Sequence, residues 1–246
     1  MKIGYFAPSY KRPEKSKTQK LFPFVKIVVK EGEADEYIKN GNDVLICPDS
    51  AQGNLCRVRN WILDEQLKNF DAVVLLDDDY NKIIRWDKQK QITLNANQLQ
   101  EVCEEIAILC NDFEFKFFGL NCVTDKGAYR EHTPFATNSY IGGPFQGFLK
   151  DCELRYDENL NLKEDYDMTL QNLHKYKGCL RVNFMSYDVK QAKQAGGCAA
   201  QRNSKEEERQ FELLQKKWGN KIIQKDNSSK RSFDFNPIMK SPIKGV

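Results

Sequence analysis

The sequence predicts an α/β protein with a mostly parallel central sheet and helices on both faces. Residues Ala72–Leu76 form an uninterrupted apolar run that is β-branched in part, which is typical of a strand buried on both faces. Residues 97–110 instead place Leu99, Val102, Ile106 and Leu109 on one side of a helix. Strands and helices of these two kinds alternate through the first half, the pattern of a parallel sheet.

The remaining elements follow from the same periodicities and from end signals. The first predicted helix ends at Gly41, and the last begins with a capping-box pattern, Ser204-x-x-Glu207. Residues 139–149 are glycine-rich and aromatic, and they open a less regular, mixed second half. Predicted strands cover residues 2–8, 22–29, 44–47, 72–76, 115–123 and 180–185. Predicted helices cover residues 31–41, 55–67, 97–110, 162–176 and 204–218.

Composition favours a soluble, cytoplasmic protein. The 246 residues are 40% hydrophobic and 30% charged, and no apolar run approaches the roughly 20 residues that span a bilayer. The N-terminal stretch lacks the long apolar region of a signal peptide, so we interpret it as a first strand. The eight cysteines form no C-x-x-C pair, which favours buried free thiols in a reducing compartment. With two histidines, a zinc site is not expected.

The C-terminal part of the chain is basic. Residues 216–246 contain eight Lys or Arg and two Asp, a net charge of +6. Such a segment is suited to a phosphate backbone, and it is equally typical of a solvated tail. The sequence leaves both interpretations open.

Three successive carboxylates follow the buried strand 72–76. Asp77, Asp78 and Asp79 repel one another, so this strand end requires a counter-charge. Ligands of parallel sheets bind beyond the carboxyl ends of the strands, and Mg²⁺ or Mn²⁺ prefers carboxylate oxygens. In an extended segment Asp77 and Asp79 point the same way, which makes them a candidate metal pair. The alternative is a solvated acidic turn.

Three segments carry a family resemblance. The stretch "PDSAQGNLCRVRNWILDEQLKNFDAVVLLDDDY" resembles the core of GT-A-fold glycosyltransferases, with Arg59-Asn60 on a helix and Asp77–Asp79 as the D-x-D-type motif. The start, "APSYKRP", resembles their first strand and donor loop, and "KEDYDMTL" resembles their later Glu-Asp motif. The combination is most similar to the TET-associated branch, phage-type enzymes that glycosylate hydroxymethylated DNA bases. The resemblance covers residues 1–80, is patchy over 166–170 and ends by about 202.

The resemblance implies a domain layout and a donor site. Residues 1–225 would form one GT-A-like catalytic domain, with a donor half of about 1–125, an acceptor half of about 126–225 and a basic tail at 226–246. A nucleotide-sugar, first a UDP-sugar, would bind with Mn²⁺ or Mg²⁺ on Asp77 and Asp79. Arg57 and Arg59 face differently on their helix, so one of them would reach the diphosphate, and the resemblance favours Arg59. The implied donor-binding residues are Pro8, Ser9, Tyr10, Arg12, Arg59, Asn60, Asp78 and Arg202.

The acceptor side is implied by two further segments. Asp165 would be the general base of an inverting transfer, with Glu164 orienting it; a retaining enzyme would need no such base. Acidic residues at a helix start are also favoured by the helix dipole alone. Gly142, Gly143 and Phe145 are candidate acceptor contacts, because glycine allows close approach and aromatic rings stack on sugars or bases. A buried turn with a core phenylalanine is the alternative.

The predicted function is a metal-dependent transfer of a sugar to a hydroxyl group. The first candidate for the acceptor is a 5-hydroxymethylpyrimidine in DNA. The protein would work in the cytoplasm, that of the host cell if it is viral. The alternatives are a glycan or protein acceptor and a sugar nucleotidyltransferase. The last is disfavoured because "APSYKRP" lacks a G-x-G-T-R-like loop. A two-metal nuclease and a non-enzymatic DNA-binding module explain fewer of these residues.

Overall fold

The structure is a computed structural model that describes residues 1–88, 90–125, 127, 129–189, 203–228 and 235–241. One large sheet contains ten strands. They are β1 Ile3–Pro8, β2 Lys26–Lys30, β3 Val44–Cys47, β4 Ala72–Leu76, β5 Tyr80–Asp87, β6 Lys90–Thr93, β7 Phe117–Asn121, β8 Phe135–Ala136, β9 Phe145–Leu149 and β10 Leu180–Val189. The helices are α1 Thr18–Leu21, α2 Glu31–Lys39, α3 Leu55–Gln66, α4 Ala96–Asp112, α5 Glu164–Lys175 and α6 Ser204–Trp218. A separate two-stranded sheet pairs β11 Ile223–Lys225 with β12 Pro237–Met239.

The strand order of the large sheet is β3-β2-β1-β4-β9-β7-β10-β5-β6, with β8 paired to β10. Strands β1 to β4 are joined in parallel, and β7 is parallel to β10. Strand β9 lies antiparallel between β4 and β7, so these two strands still point the same way. Because the carboxyl ends of β1 and β4 are neighbours, the loops that follow them meet at one edge of the sheet.

Two hydrophobic clusters cover the two faces of the sheet. Helices α2 and α4 pack on one face, and helices α3, α5 and α6 pack on the other. Helix α4 begins with a capping box between Asn95 and Gln98, which satisfies its first backbone N–H groups. The predicted fold class, a mostly parallel sheet with helices on both faces, is confirmed.

Several predicted bounds agree with the structure and others need correction. Strands β3 and β4 and helix α6 match their predictions at both ends. The second predicted strand starts later, at Lys26, because residues 18–21 are helical. Strand β9 was predicted as part of an irregular segment, yet it is fully buried in the sheet. Its Gly147 is needed there because a Cβ would lie 2.1 Å from the ring of Phe118.

Three further features are the C-terminal strand pair, the lengths of the helices and the state of the cysteines. The residues predicted as a basic tail include β12, which pairs in register with β11, so part of this segment has regular structure. Among the described residues, no helix is both long and apolar enough to cross a bilayer. The seven described cysteines are free thiols, and burial raises the pKa of the Cys103 thiol to about 12. Such thiols are inert, as the composition indicated.

Candidate active site

The site lies where the carboxyl ends of β1 and β4 meet the N-terminus of α5. The three aspartates directly follow β4, and their backbone is fixed by α1. The Thr18 hydroxyl donates to the carbonyl of Asp77 over 2.7 Å, and the Lys17 N–H donates to the carbonyl of Asp78 over 2.7 Å. The turn that carries the carboxylates is therefore held in one conformation before any ligand binds.

Arg59 on α3 joins three parts of this site. Its Nη1 donates to Oε1 of Glu164 over 3.1 Å, and its Nη2 lies 3.4 Å from Oδ1 of Asp77. The same Nη2 donates to the carbonyl of Gly143 over 2.9 Å. The side chain is 1% exposed. Arg59 thus connects the β4 end, the glycine turn before β9 and the start of α5.

A second arginine lies within ion-pair distance of the other two aspartates. Arg12 donates through Nε to Oδ2 of Asp78 over 2.9 Å, and its Nη2 lies 2.5 Å from Oδ1 of the same carboxylate. Its Nη1 is 3.8 Å from Asp79. The Ser9 hydroxyl also donates to Asp78 and lies 2.7 Å from the Tyr37 hydroxyl. Asp78 therefore ties the loop after β1 to the end of β4.

The loop after β1 also bends sharply just before Arg12. Lys11 has a φ of 53°, in the left-handed region that costs a non-glycine residue energy. Its N–H donates to Glu33 of α2 over 2.8 Å, which fixes the bend. Tyr10 next to it is 39% exposed, and the ammonium groups of Lys11 and Lys30 lie 5.1 and 5.9 Å from its ring. The ring of Tyr10 is therefore partly exposed beside the strand end.

The aspartates thus have counter-charges within the chain itself, which the sequence analysis attributed to a metal alone. The two guanidinium groups do not balance all the acids, because Glu164 and Asp165 lie in the same site. Burial raises the pKa of Asp78 to about 6, against the pull of Arg12. Burial, together with the neighbouring Asp77 and Asp78, raises the pKa of Asp79 to about 7. The site keeps an excess of negative charge, which favours a bound cation.

The donor set fits a hard divalent cation on two residues. Asp78 has both oxygens engaged by Arg12 and Ser9, whereas the Asp77 side chain is 33% exposed. Asp77 and Asp79 therefore remain the candidate ligands, and carboxylate oxygens suit Mg²⁺ or Mn²⁺. Among the described residues no group of three or more His, Cys, Asp or Glu is arranged to hold a metal ion. Such an ion would need further oxygens from a substrate, as Mg²⁺ commonly does.

The acidic start of α5 lies across the site from the aspartates. Oδ2 of Asp165 accepts a hydrogen bond from the Tyr140 hydroxyl and another, 3.2 Å long, from the Gly143 N–H. Glu164 is buried against Arg59, and burial with the nearby Asp165 raises the pKa of its carboxyl to about 8. The Tyr140 and Tyr166 rings stack with centroids 4.3 Å apart. Asp165 is thus oriented by two donors beside an aromatic pair.

The structure brings most of the predicted residues together. The Asp77–Asp79 run, Glu164, Asp165, Gly143 and the loop from Pro8 to Arg12 all lie at this edge of the sheet. Gly142 is packed so that a Cβ would lie 2.4 Å from the Tyr187 hydroxyl. Arg59 and not Arg57 enters the site, since Arg57 is an exposed residue paired with Glu158 over 2.6 Å.

One predicted contact needs correction, one stays a prediction and one lies outside the described residues. Asn60 uses its amide on the backbone of Tyr156, donating over 3.0 Å and accepting over 2.8 Å, so it anchors a loop, and its contact with the donor stays a prediction. Phe145 is fully buried in β9 and packs in the core, so it does not contact an acceptor. Arg202 belongs to the part of the chain that the structure does not describe.

Sequence reasoning missed Tyr37, Thr18 and Tyr140. Tyr140 stands beside the glycine pair that was singled out, and its proximity to Asp165 could have been suspected from the adjoining motif. Thr18 and Tyr37 lie in a polar loop region and on a helix, where no pattern separates them from ordinary residues. Gly143 was expected at the acceptor, whereas its N–H and carbonyl connect Asp165 with Arg59.

Solved structures with this fold include two mycobacterial proteins. Glucosyl-3-phosphoglycerate synthase from Mycobacterium tuberculosis, in complex with Mg²⁺ and uridine diphosphate, has a TM-score of 0.53 and 9% identity, covering 98% of this chain and 87% of its own. Another mycobacterial protein has a TM-score of 0.53 and 8% identity, with 98% and 83% covered. S. aureus TarS has a TM-score of 0.48 and 16% identity, covering 76% of this chain, which spans 59% of the TarS structure. At these identities the likeness shows the fold alone.

The sequence itself identifies the family. No curated protein sequence is significantly similar to the chain, but residues 6–197 match the profile of TET-Associated Glycosyltransferase. The matched region contains both arginines, the three aspartates and the acidic start of α5. It extends over more than half of the chain, and the chain therefore belongs to the TET-associated glycosyltransferase family, with the GT-A-like fold that its sequence predicted.

Proposed function

We propose that this chain transfers a sugar from a nucleoside diphosphate sugar to a hydroxyl group of an acceptor. The first candidate for the donor is a UDP-sugar. One observation carries the proposal. Arg59 links the carboxylates after β4 to the acidic start of α5 within a single hydrogen-bonded unit. A charged donor group and a general base would thereby be held on opposite sides of the reacting carbon, which is the arrangement an inverting transfer requires.

The loop after β1 suits the nucleotide. The exposed ring of Tyr10 offers a stacking face for a base, and Ser9 and Arg12 follow it. Arg59 has its Nη atoms on Glu164, Asp77 and Gly143. We therefore assign Arg59 a positioning role for these carboxylates.

Mn²⁺ or Mg²⁺ on Asp77 and Asp79 is part of the proposal. Bound there, the ion would act as a Lewis acid on the diphosphate leaving group. The structure supports this assignment through the exposure of Asp77, the unbalanced negative charge and the engagement of Asp78 by Arg12. The UDP and Mg²⁺ in the mycobacterial synthase are consistent with such a donor in a protein of the same fold.

Asp165 is the proposed general base. It would accept the proton of the acceptor hydroxyl while that oxygen bonds to the anomeric carbon and the bond from this carbon to the nucleotide breaks. The Tyr140 hydroxyl and the Gly143 N–H fix one carboxylate oxygen, so the carboxylate is oriented before the acceptor arrives. The product would have the inverted anomeric configuration.

The proposed acceptor is a 5-hydroxymethylpyrimidine in DNA, with a glycan or a protein as the second candidate. The family name supports a link to modified DNA, and the Tyr140–Tyr166 stack supplies aromatic surface for a base taken out of a helix. In this proposal residues 1–225 form the catalytic domain, and the protein works in the cytoplasm.

Calorimetric titration with UDP tests the donor site. In the presence of Mn²⁺ we expect binding in the micromolar range, which EDTA or Asp79→Ala should reduce to a weaker binding that does not depend on the metal. A matched control is Asp71→Ala, which removes an acid at the opposite end of β4. No binding of UDP, or binding that is indifferent to the metal, would contradict both the metal role of Asp79 and the choice of UDP.

A transfer assay on DNA containing 5-hydroxymethylcytosine tests the reaction. Asp165→Asn should keep UDP affinity and lower kcat by a factor of about 10² to 10⁴, the usual contribution of a general base. Tyr140→Phe should lower kcat less, because the Gly143 N–H still holds the carboxylate. If Asp165→Asn retains full kcat, Asp165 is not the base.

A further inference from the structure

Arg181 is a cation that is connected to the proposed base through Tyr140 and has no use in the mechanism above. It lies on β10, where it pairs in register with Gly119 of β7 and Ala136 of β8. Its Nε donates to the side-chain oxygen of Asn183 over 2.9 Å, and its Nη1 lies 3.4 Å from the carbonyl of Tyr140. All its observed partners are neutral.

Other buried cations of the protein, unlike Arg181, have carboxylate partners. Arg12 and Arg59 in the site each lie within 4 Å of two carboxylates, and Lys163 pairs with Glu207. In the part of the chain that the structure describes, Arg181 forms no ion pair with a carboxylate. Burial lowers the pKa of the Arg181 guanidinium from its usual value, and the groups that oppose this effect are the Cys122 and Cys179 thiols and the Tyr187 hydroxyl, not carboxylates. A half-buried cation that has no anionic partner in the chain favours binding of an anion from outside the chain.

The neighbours of Arg181 indicate which anion would fit. The same Tyr140 that accepts from Arg181 through its carbonyl donates through its hydroxyl to Asp165. Its ring stacks on Tyr166, so aromatic surface, base and free cation are contiguous. A ligand that reaches all three needs a hydroxyl group, a flat ring and a negative charge on one short framework. A nucleotide unit of a nucleic acid carries these together once its base bears a hydroxymethyl group.

We propose that Arg181 binds a backbone phosphodiester of the acceptor strand while the modified base is presented to Asp165 on the Tyr140–Tyr166 stack. This rests on the proposed function and extends it, because it makes a nucleic acid strand, and not an isolated sugar or nucleoside, the preferred acceptor. A guanidinium is suited to the task since its planar fork can hold two phosphate oxygens.

Hydrogen bonds hold the Arg181 side chain in position for a contact with phosphate. Asn183 orients the guanidinium and is itself held, because its Nδ2 donates to the carbonyl of Thr133 over 2.8 Å. Its N–H donates to the carbonyl of Pro134 over 2.8 Å. The arginine is thereby fastened on both sides, to the loop before β8 and to Tyr140, so little side-chain freedom would be lost on binding.

The test compares two acceptors in one enzyme preparation. Arg181→Gln and Arg181→Lys would be assayed with a short single-stranded oligonucleotide containing one 5-hydroxymethylcytosine and with the free nucleoside, which has no phosphate. Arg181→Gln should lower kcat/KM for the oligonucleotide by about tenfold to hundredfold, the range of hydrogen bonds to charged groups. For the free nucleoside, the kcat/KM of Arg181→Gln should equal that of the wild type. Arg181→Lys keeps the charge but lacks the planar fork, so its kcat/KM for the oligonucleotide should lie between those of the wild type and Arg181→Gln.

Salt dependence gives a second readout. Oligonucleotide affinity, measured by fluorescence anisotropy, should fall less steeply with salt in Arg181→Gln, by about 0.7 in the log–log slope for one phosphate on a single strand. Arg155→Gln is the matched control, because Arg155 is 31% exposed and pairs with Asp64 on the far part of α3. It should leave both the slope and kcat/KM unchanged.

The remaining outcomes overturn one claim or the other. Equal losses on nucleoside and oligonucleotide would show that Arg181 only supports Tyr140, and no loss on either would show that it contacts no acceptor. A wild type that uses the nucleoside as well as the oligonucleotide would refute the phosphate contact and leave the transferase proposal standing. A wild type that transfers to neither, but binds UDP with Mn²⁺, would overturn the DNA acceptor and the phosphate contact with it.

Discussion

Arg59 and Glu164 are 105 positions apart in the sequence, and their side chains meet over 3.1 Å in the interior of the site. Arg59 is 1% and Glu164 10% exposed. Both groups are removed from water, so the stability of the pair depends on the hydrogen bond between them. The contact fixes the start of α5 against α3, and through Asp77 it fixes the end of β4 as well.

Replacing Arg59 by Gln should therefore be costly. The variant leaves Asp77 without the Arg59 guanidinium and Glu164 without its hydrogen-bond donor, and the loss of one partner of a buried pair costs about 3–5 kcal/mol. Urea denaturation should show this decrease in the free energy of unfolding. A second change, Glu164→Gln, should restore part of the stability of Arg59→Gln but none of its transferase activity.

The control for Arg59 lies two residues away on the same helix. Arg57→Gln removes the pair with Glu158, in which the side chains are 47% and 44% exposed. Surface pairs of this kind contribute about 0–1 kcal/mol. If Arg57→Gln and Arg59→Gln destabilise the protein equally, burial of the Arg59 pair is not what makes it important.

Glu164 should also make stability depend on pH. Burial raises the pKa of its carboxyl from 4.5 to about 8, so the folded chain holds this proton more tightly than the unfolded chain. The contribution is fully present below pH 4.5 and is lost as the pH rises through 8, because the folded state must then bury the charge. Glu164→Gln removes this dependence.

The measurement is the free energy of unfolding of both proteins between pH 5 and 9. The difference, Glu164→Gln minus wild type, should rise with pH up to about 8 and then level off, since both states of the wild type are then ionised. Glu153→Gln, a surface residue paired with Lys175, is the control and should show no such trend. A difference that is constant across this range would contradict the raised pKa of Glu164.

The sequence predicts the donor half well because its signals are local. Residues 72–76 can only be a buried strand, and an acidic run after a parallel strand must lie at the ligand edge of the sheet. The structure places Arg59 and not Arg57 beside the aspartates, a choice that came from family resemblance, and a contact of Arg59 with a diphosphate stays a prediction. Periodicity alone placed the two on different faces without saying which face met the aspartates.

The sequence does not predict contacts that depend on register across the sheet. Strand β9 has glycines and aromatics that resemble a turn, and its antiparallel position between β4 and β7 is set by pairing over long separations. The same long-range pairing buries Phe145. Arg12 as the partner of Asp78 could not be predicted either, because 66 residues separate the two.

Asp78 and Asp79 should have separable roles in donor binding. Asp78 is fully buried with Arg12 and Ser9 on its oxygens, so it shapes the loop after β1. Asp78→Asn should weaken UDP binding with and without Mn²⁺ by a similar factor, on the order of tenfold for a lost charged hydrogen bond. Asp79→Asn should instead abolish only the increment that Mn²⁺ gives.

Calorimetry with UDP in Mn²⁺ and in EDTA distinguishes the two variants. Asp43→Asn serves as the control, because Asp43 is exposed and pairs with Lys26 at the far end of β2. If Asp78→Asn loses only the metal-dependent part of binding, Asp78 is itself a metal ligand, and Asp77 and Asp79 are not the pair.

Helix α6 should stabilise the start of α5 through Lys163 and Glu207. These side chains are 3% and 2% exposed and form an ion pair directly before Glu164. The neighbouring Leu162 N–H donates to Gln210 of α6 over 2.7 Å, so two successive residues before α5 are attached to that helix. Glu207→Gln leaves the Lys163 charge buried without its partner and should cost about 3–5 kcal/mol.

Urea denaturation of three variants tests this role of α6. The double variant Lys163→Met/Glu207→Leu removes both buried charges and should recover most of the stability lost in Glu207→Gln, since apolar residues of similar volume often replace a buried pair without loss. Arg209→Gln breaks the surface pair with Glu206 on the same helix, in which the arginine is 49% exposed, and should change stability by about 1 kcal/mol or less. If Glu207→Gln is no more destabilising than Arg209→Gln, α6 does not hold the start of α5 through this pair.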